Sequence, residues 1–186
     1  MKNILLIFFF LLFGYSVFSQ EQDSLSSYKT EQVLRINLIN PGVEFEMPTG
    51  TFSTFSAGVG VGYGGSYPDL NESSGTGIIY VIAPFLDLQH KWFYNLNKRL
   101  DKDKSIKNNS GNFVSARILT RGHSIKDNIQ RTSDFDFVIN PTWGFQRSYN
   151  EKFHLLFDMG PIYYFDTKGN GSFFPFYFQL NLGFDL

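Results

Sequence analysis

Phe174-Pro175-Phe176-Tyr177-Phe178-Gln179-Leu180-Asn181-Leu182-Gly183-Phe184-Asp185-Leu186 is the stretch on which the fold turns. Every second residue is apolar: Phe174, Phe176, Phe178, Leu180, Leu182, Phe184 and Leu186. Between them, Gln179, Asn181, Gly183 and Asp185 make the other face polar toward the chain end. A strand sends successive side chains to opposite faces, so the segment predicts a strand with one wholly apolar face. A sandwich strand over a soluble core would read the same way, so the decision passes to the other segments.

The pattern recurs along the chain. Phe135, Phe137, Ile139, Trp143 and Phe145 alternate with Asp134, Asp136, Asn140, Thr142 and Gln146. Phe153, Leu155, Phe157, Met159, Tyr163 and Phe165 alternate with a set that includes His154 and Asp158. Val114, Ala116 and Ile118 alternate with Ser115 and Arg117. Ile78–Tyr94 carries Ile82, Leu86, Leu88, Trp92 and Tyr94 in one phase and Asp87, Gln89 and Lys91 in the other. Phe55, Ala57, Val59, Val61 and Tyr63 alternate with Ser56, Gly58, Gly60 and Gly62, small residues that suit a narrow barrel interior. The chain holds 22 Phe, 10 Tyr and 17 Gly, yet its mean hydropathy is only −0.15. A transmembrane barrel has that combination, because apolar outward and polar inward residues average out. No stretch after Gln20 approaches 18 apolar residues, so helical spans are excluded. In lipid that leaves a closed barrel, since every backbone N–H and C=O needs a partner.

The N-terminus has the order of a secretory signal: Lys2, the apolar run Ile4–Phe13, then Val17-Phe18-Ser19 before Gln20. The apolar run is shorter than the roughly 20 residues of a spanning helix. The expected organisation is a cleaved signal peptide over 1–19, a flexible segment over 20–30 and a barrel over 31–186. There is no cysteine, which excludes disulfides and a lipid-modified cysteine after the signal. Net charge is −1, without the basic footprint of a nucleic-acid binder.

Strand count depends on Asn40-Pro41-Gly42. As a turn, it separates Val33–Ile39 from Val43–Met47 and gives eight strands; as a bend, it gives seven. Bacterial single-chain barrels have even numbers of strands, which favours eight. At roughly 9–11 residues each, eight strands use about 80 residues, and a wide sixteen-stranded pore does not fit. The fold class is therefore an all-β, closed, antiparallel, up-and-down transmembrane β-barrel of about eight strands. Counting from a periplasmic N-terminus, the turns near 48–51, 95–111 and 148–151 lie on the periplasmic side. Those near 40–42, 64–76, 122–133 and 166–172 lie outside. The long connection 95–111, with five Lys or Arg residues against two Asp, reads as a solvated turn with room for one helical turn.

Several stretches resemble a family of small outer-membrane β-barrel proteins of Bacteroidota that has no established activity. They are Ile36-Asn37-Leu38 followed by Glu44-Phe45-Glu46, Ala83-Pro84-Phe85, Trp92–Arg99 with Asn109–Phe113, and Trp143–Arg147. The Phe-rich leader ending Ser19-Gln20 fits the same source. The resemblance implies an outer-membrane location and insertion by the barrel assembly machinery. It implies no catalytic residues.

The most specific constellation is charged. Arg35, Lys91, Arg117 and Arg121 share the inner phase with Glu44, Glu46, Asp87, Asp134, Asp136, Asp158 and Asp185. Buried charges need partners, so these are expected to bridge and plug the lumen, with Arg35 and Arg117 meeting Glu44 or Glu46. A gated pore is the functional alternative. Tyr80, Trp92, Tyr94, Trp143, Tyr149 and Tyr163 are candidates for interfacial aromatic girdles. His90, His123 and His154 lack metal-ligand spacing, and nothing marks Ser115 or Ser172 as a nucleophile. The reading is a non-enzymatic structural or surface-interaction barrel in outer-membrane lipid, with no cofactor and no nucleic-acid partner. Its rivals are a narrow channel, an outer-membrane enzyme acting on lipid or peptide, and a soluble exported barrel binding an apolar ligand.

Overall fold

The computed structural model describes residues 29–63, 81–128, 131 and 133–186. The expected signal peptide, the segment 20–28, Tyr80 and the 64–76 connection lie outside the described residues.

Period-2 alternation gives strands wherever the sequence carries it. In chain order these are β1 (Val33–Asn37), β2 (Gly42–Gly50), β3 (Ser53–Tyr63), β4 (Val81–Phe93), β5 (Gly111–Arg121), β6 (Lys126–Asp127), β7 (Asp136–Tyr149), β8 (Phe153–Asp166) and β9 (Gly171–Asp185). A short helix α1 (Leu96–Leu100) and a 3-10 turn at Lys107–Asn109 interrupt the 95–111 connection. All pairings are antiparallel, and the hydrogen bonds form a ring through eight strands. The ring closes where β1 meets β9, with Arg35 opposite Asp185 and Asn37 opposite Gly183. The remaining strand, β6, is a two-residue addition to β4. The chain thus turns over 38–41, two residues earlier than expected, Gly42 opens β2, and Val43–Met47 belongs to a strand of its own.

Turn chemistry explains the tight connections. Lys152 N–H donates to the Tyr149 carbonyl (3.2 Å), with Asn150 and Glu151 at φ 52° and 57° between them. Two central residues at positive φ match the right-handed twist of a hairpin, and Asn tolerates that region. At the opposite end, Gly169 takes φ 88° while Asp166 Oδ1 accepts from the backbone N–H groups of Lys168 and Asn170.

Alternation puts polar groups inside and apolar groups outside. Leu34, Val43, Val59, Leu86, Val114, Ile139, Met159 and Leu180, one from each ring strand, are exposed. Arg35, Glu46, Lys91, Gln146 and Asp158 are buried. Close approach of strands demands small residues at particular points. A Cβ on Gly183 would overlap the Ile36 carbonyl oxygen, at the closing seam.

The uninterrupted apolar face expected from Phe174 to Leu186 is corrected. Gly160 pairs with Tyr177, but Ile162 pairs with Phe174, so β9 carries one extra residue across that interval. One extra residue reverses side-chain parity. Below the bulge, Phe178, Leu180 and Phe184 face out; above it Phe173 faces out, while Phe174 lines the interior with Ile162. The 95–111 connection is not simply solvated either. Leu96 packs with Phe93, Phe113 and Leu156, with Ile106 against them, and the segment folds over one end of the barrel.

Two glycines separate seam geometry from general strand preference. Gly183→Val should destabilise the barrel by about 1–3 kcal/mol through overpacking at the seam. Gly58→Ala, whose Cβ would find ordinary contacts of 3.6 Å and beyond, should be neutral or stabilise by about 0.4–1 kcal/mol. Urea unfolding from lipid vesicles measures both, and equal losses would contradict the seam geometry.

Candidate functional site: the lumen

The interior begins with the seam. Arg35 stands in register with Glu44 on one side and Asp185 on the other. Its Nε donates to Asp185 (2.9 Å) and its Nη1 to Glu44 (3.2 Å) and to Glu46, while Nη2 donates to the Asn108 carbonyl (3.2 Å). Lys91 Nζ reaches Glu44 (3.3 Å), Glu46 (3.4 Å) and Gln146 Oε1 (3.0 Å). Arg35 and Lys91 are wholly buried. Two cations against three carboxylates, all with hydrogen bonds, satisfy the condition under which buried charge is tolerated.

The 95–111 connection completes this cluster. Asn108 and Asn109 adopt φ 51° and 60° and turn their side chains inward. Asn109 Nδ2 donates to Glu46 Oε1 (3.2 Å) and to the Glu31 carbonyl (2.8 Å); Asn108 Nδ2 donates to Asp185 Oδ2 (3.1 Å). Gln146, Thr54 and these two asparagines belong to the network but were not expected in it. Inward parity marks Thr54 and Gln146 in the sequence, whereas the asparagines come from a loop whose path no periodicity reveals.

A second cluster lies apart. Arg117 forms a two-pronged pair with Asp87, Nε to Oδ1 (2.7 Å) and Nη2 to Oδ2 (2.5 Å). The expectation that Arg117 meets Glu44 or Glu46 is corrected, because those acids are occupied by Arg35 and Lys91. Asp158 lies 4.0 Å from Arg117 Nη1 and accepts from Gln89 (3.0 Å). Arg121 pairs with Asp136 (2.9 Å), which is shared with Arg131 (2.9 Å).

Asp134 is corrected outright. It precedes β7, its side chain is 70 % exposed, and it meets His123 Nδ1 at 2.8 Å. That hydrogen bond holds its carboxyl below the usual carboxylate range. His154 is buried beside Asp185 (3.5 Å). Ser115 shares its hydroxyl with Thr142 (2.5 Å) and accepts from Gln89 (2.8 Å). Among the described residues, no group of three or more His, Asp or Glu could hold a metal ion.

Beyond the clusters lies a cavity of about 240 Å³. Asn37, Asp87, Gln89, Arg117 and Gln179 line it on the polar side, and Phe85, Leu119, Val138, Ile162 and Phe176 on the apolar side. It extends to Asn40 and Gly42, at the β1–β2 turn.

The girdle candidates among the described residues sit on the outer face. Trp92, Tyr94, Trp143 and Tyr149 are exposed, with Trp143 Nε1 donating to Tyr94 OH (2.6 Å). Tyr163 lies nearer the other end of the strands, opposite Ile139. From Phe153 to Tyr163, β8 spans roughly 33 Å, or about 25 Å along the axis at the usual barrel tilt.

No protein family, curated protein or solved structure matches the chain.

The two clusters should be energetically separate. In a double-mutant cycle, Arg117→Met with Asp87→Asn should couple by roughly 1–3 kcal/mol, and Arg117→Met with Glu46→Gln by less than about 0.5 kcal/mol. Arg35→Met should cost about 3–5 kcal/mol by leaving buried carboxylates short of a cation. Urea unfolding from vesicles reads these values. Strong Arg117–Glu46 coupling would contradict the assignment.

Proposed function

We propose that the chain is a non-enzymatic outer-membrane β-barrel, exported through its N-terminal signal, inserted by the barrel assembly machinery, with a structural or surface-interaction role. The observation that carries this reading is the distribution of charge between the two faces. Within the eight ring strands, alternation places Arg35, Glu44, Glu46, Asp87, Lys91, Arg117, Arg121, Asp136, Asp158, Asp166 and Asp185 inward. The outward set of the ring contains no Asp, Glu or Lys, and its one charged residue, Arg147, is two residues from the end of β7. Soluble monomers rarely expose apolar patches beyond a few hundred Å². Here the apolar surface encircles the barrel, with Ile36, Val59, Leu86, Ile118, Ile139, Met159 and Phe178 all exposed. Lipid is the solvent in which that surface costs nothing and a charged one would cost about 2–4 kcal/mol per residue at the midplane.

The plugged lumen accords with a role that does not pass ions. Arg35, Lys91 and Asn109 are buried in the interior with Asn108 beside them, and Lys91 Nζ lies 5.6 Å from the ring centre of Phe113 in the apolar cluster with Phe93 and Leu96.

The refolded mature chain should require detergent or lipid, migrate differently on gels before and after boiling, and show no steady conductance in planar bilayers. A monomer fully soluble in plain buffer would contradict the membrane reading. Steady conductance would replace the plugged barrel with a narrow channel.

A further inference from the structure

We propose that the lumen cavity binds one neutral amphiphile, with a hydroxyl-bearing head on the polar side and an apolar body against the apolar side, taken up sideways from the membrane. The sideways route rests on the reading of the chain as a membrane barrel; the site itself does not.

Hydrogen-bond accounting defines the head. Asn37, Asn140 and Gln179 line the cavity, are buried, and each keep a side-chain carbonyl oxygen without a partner among the described residues. The orientation of two is fixed, since Asn37 Nδ2 donates to Glu44 (3.4 Å) and Asn140 Nδ2 to the Pro161 carbonyl (2.7 Å). Arg117 Nη1 adds a donor group that makes no hydrogen bond, its ionic neighbour Asp158 Oδ1 standing 4.0 Å away. Unsatisfied buried polar groups cost free energy that a bound partner recovers. Three acceptors and a donor call for hydroxyls, which both donate and accept. The charged residues lining the cavity balance, Glu44 and Asp87 against Arg117 and Arg121. A carboxylate or phosphate head would face carbonyl oxygens and two acids, so a neutral head fits.

The wall defines the route. Pro141, Pro161 and Pro175 lie on the three neighbouring strands β7, β8 and β9. Proline has no N–H to give a ladder. Between Ile139↔Tyr163 and Trp143↔Met159 no residues of β7 and β8 are paired, and the β8–β9 register shifts at the same level. Phe176 lies at that break; it is 79 % exposed and also lines the cavity. The backbone ladder is therefore interrupted in the part of the wall that stands between the cavity and the surrounding apolar surface, where Asn140 Nδ2 bonding the Pro161 carbonyl bridges β7 and β8.

The test uses the mature chain refolded into phosphatidylcholine nanodiscs, with octyl glucoside below its micelle-forming concentration as probe and native mass spectrometry as readout. Saturable binding of one octyl glucoside per chain is expected, with no binding of glucose alone or of octanoate. Leu119→Trp fills the cavity and should weaken binding at least about ten-fold. Gln179→Met keeps the volume, removes one acceptor, and should weaken binding about five-fold with unchanged gel migration. If Leu119→Trp does not fold, Gln179→Met decides. Non-saturable uptake, equal binding of octanoate, or full affinity in the folded variants would overturn the site. Binding of glucose as tight as that of octyl glucoside would overturn the membrane source. A chain that folds in plain buffer and still binds one octyl glucoside would support the site while overturning sideways uptake.

Discussion

Arg35 is the constraint around which the barrel is arranged. A guanidinium with no exposure to solvent cannot give up its proton, so acids must surround it. The acids come from both neighbouring strands: Glu44 and Glu46 on β2 and Asp185 on β9. Because β1 and β9 are the first and last strands of the ring, the Arg35–Asp185 pair crosses the seam that closes it. The interaction that neutralises the interior is thus also the one that joins the chain's two ends. It compensates for a short first strand, five residues long, whose register with β9 spans only Arg35 to Asn37.

From that point the interior is filled by size and by charge. Ser56 stands in register between Glu46 and Gln89 and Gly58 between Glu44 and Asp87, small residues among long ones, and the 95–111 connection supplies Asn108 and Asn109. The cavity is what remains where this filling stops. Its apolar side is built from Phe85, Leu119, Val138 and Ile162 on four other strands, with Phe174, which the β9 bulge turns inward, so the same irregularity interrupts the wall and helps to shape the space behind it.

Much of this was legible because strand periodicity is a strong signal. Arg35, Glu44, Glu46, Lys91, Asp87 and Asp158 lie inside on parity alone, and Pro41 marked the first turn. Parity says which face a residue occupies but not which partner it finds. Shared inward phase and opposite charge pair Arg117 with Glu44 or Glu46, whereas strand adjacency gives it Asp87 on β4. Asp134 had the right parity but lies before β7 begins, and parity means nothing outside a strand. The β9 bulge is hidden in the sequence because Phe174 and Phe176 extend the apolar period through it. Pro175 was the available clue, since a proline inside a strand often accompanies a bulge. The inward asparagines depend on loop geometry, which composition does not encode.

The central claim is that the outer face meets lipid while the charges stay within. Trp92 and Trp143 are the protein's two tryptophans, 44 % and 43 % exposed on that face. Their fluorescence, in vesicles of phosphatidylcholines brominated at defined depths along the acyl chain, reports contact with lipid directly. Efficient quenching is predicted, strongest for bromines nearest the headgroup, because Trp143 bonds Tyr94 and Trp92 lies one residue from the end of β4. Tryptophan emission unaffected by bromine at any depth, in chain bound to the vesicles and folded, would contradict the account.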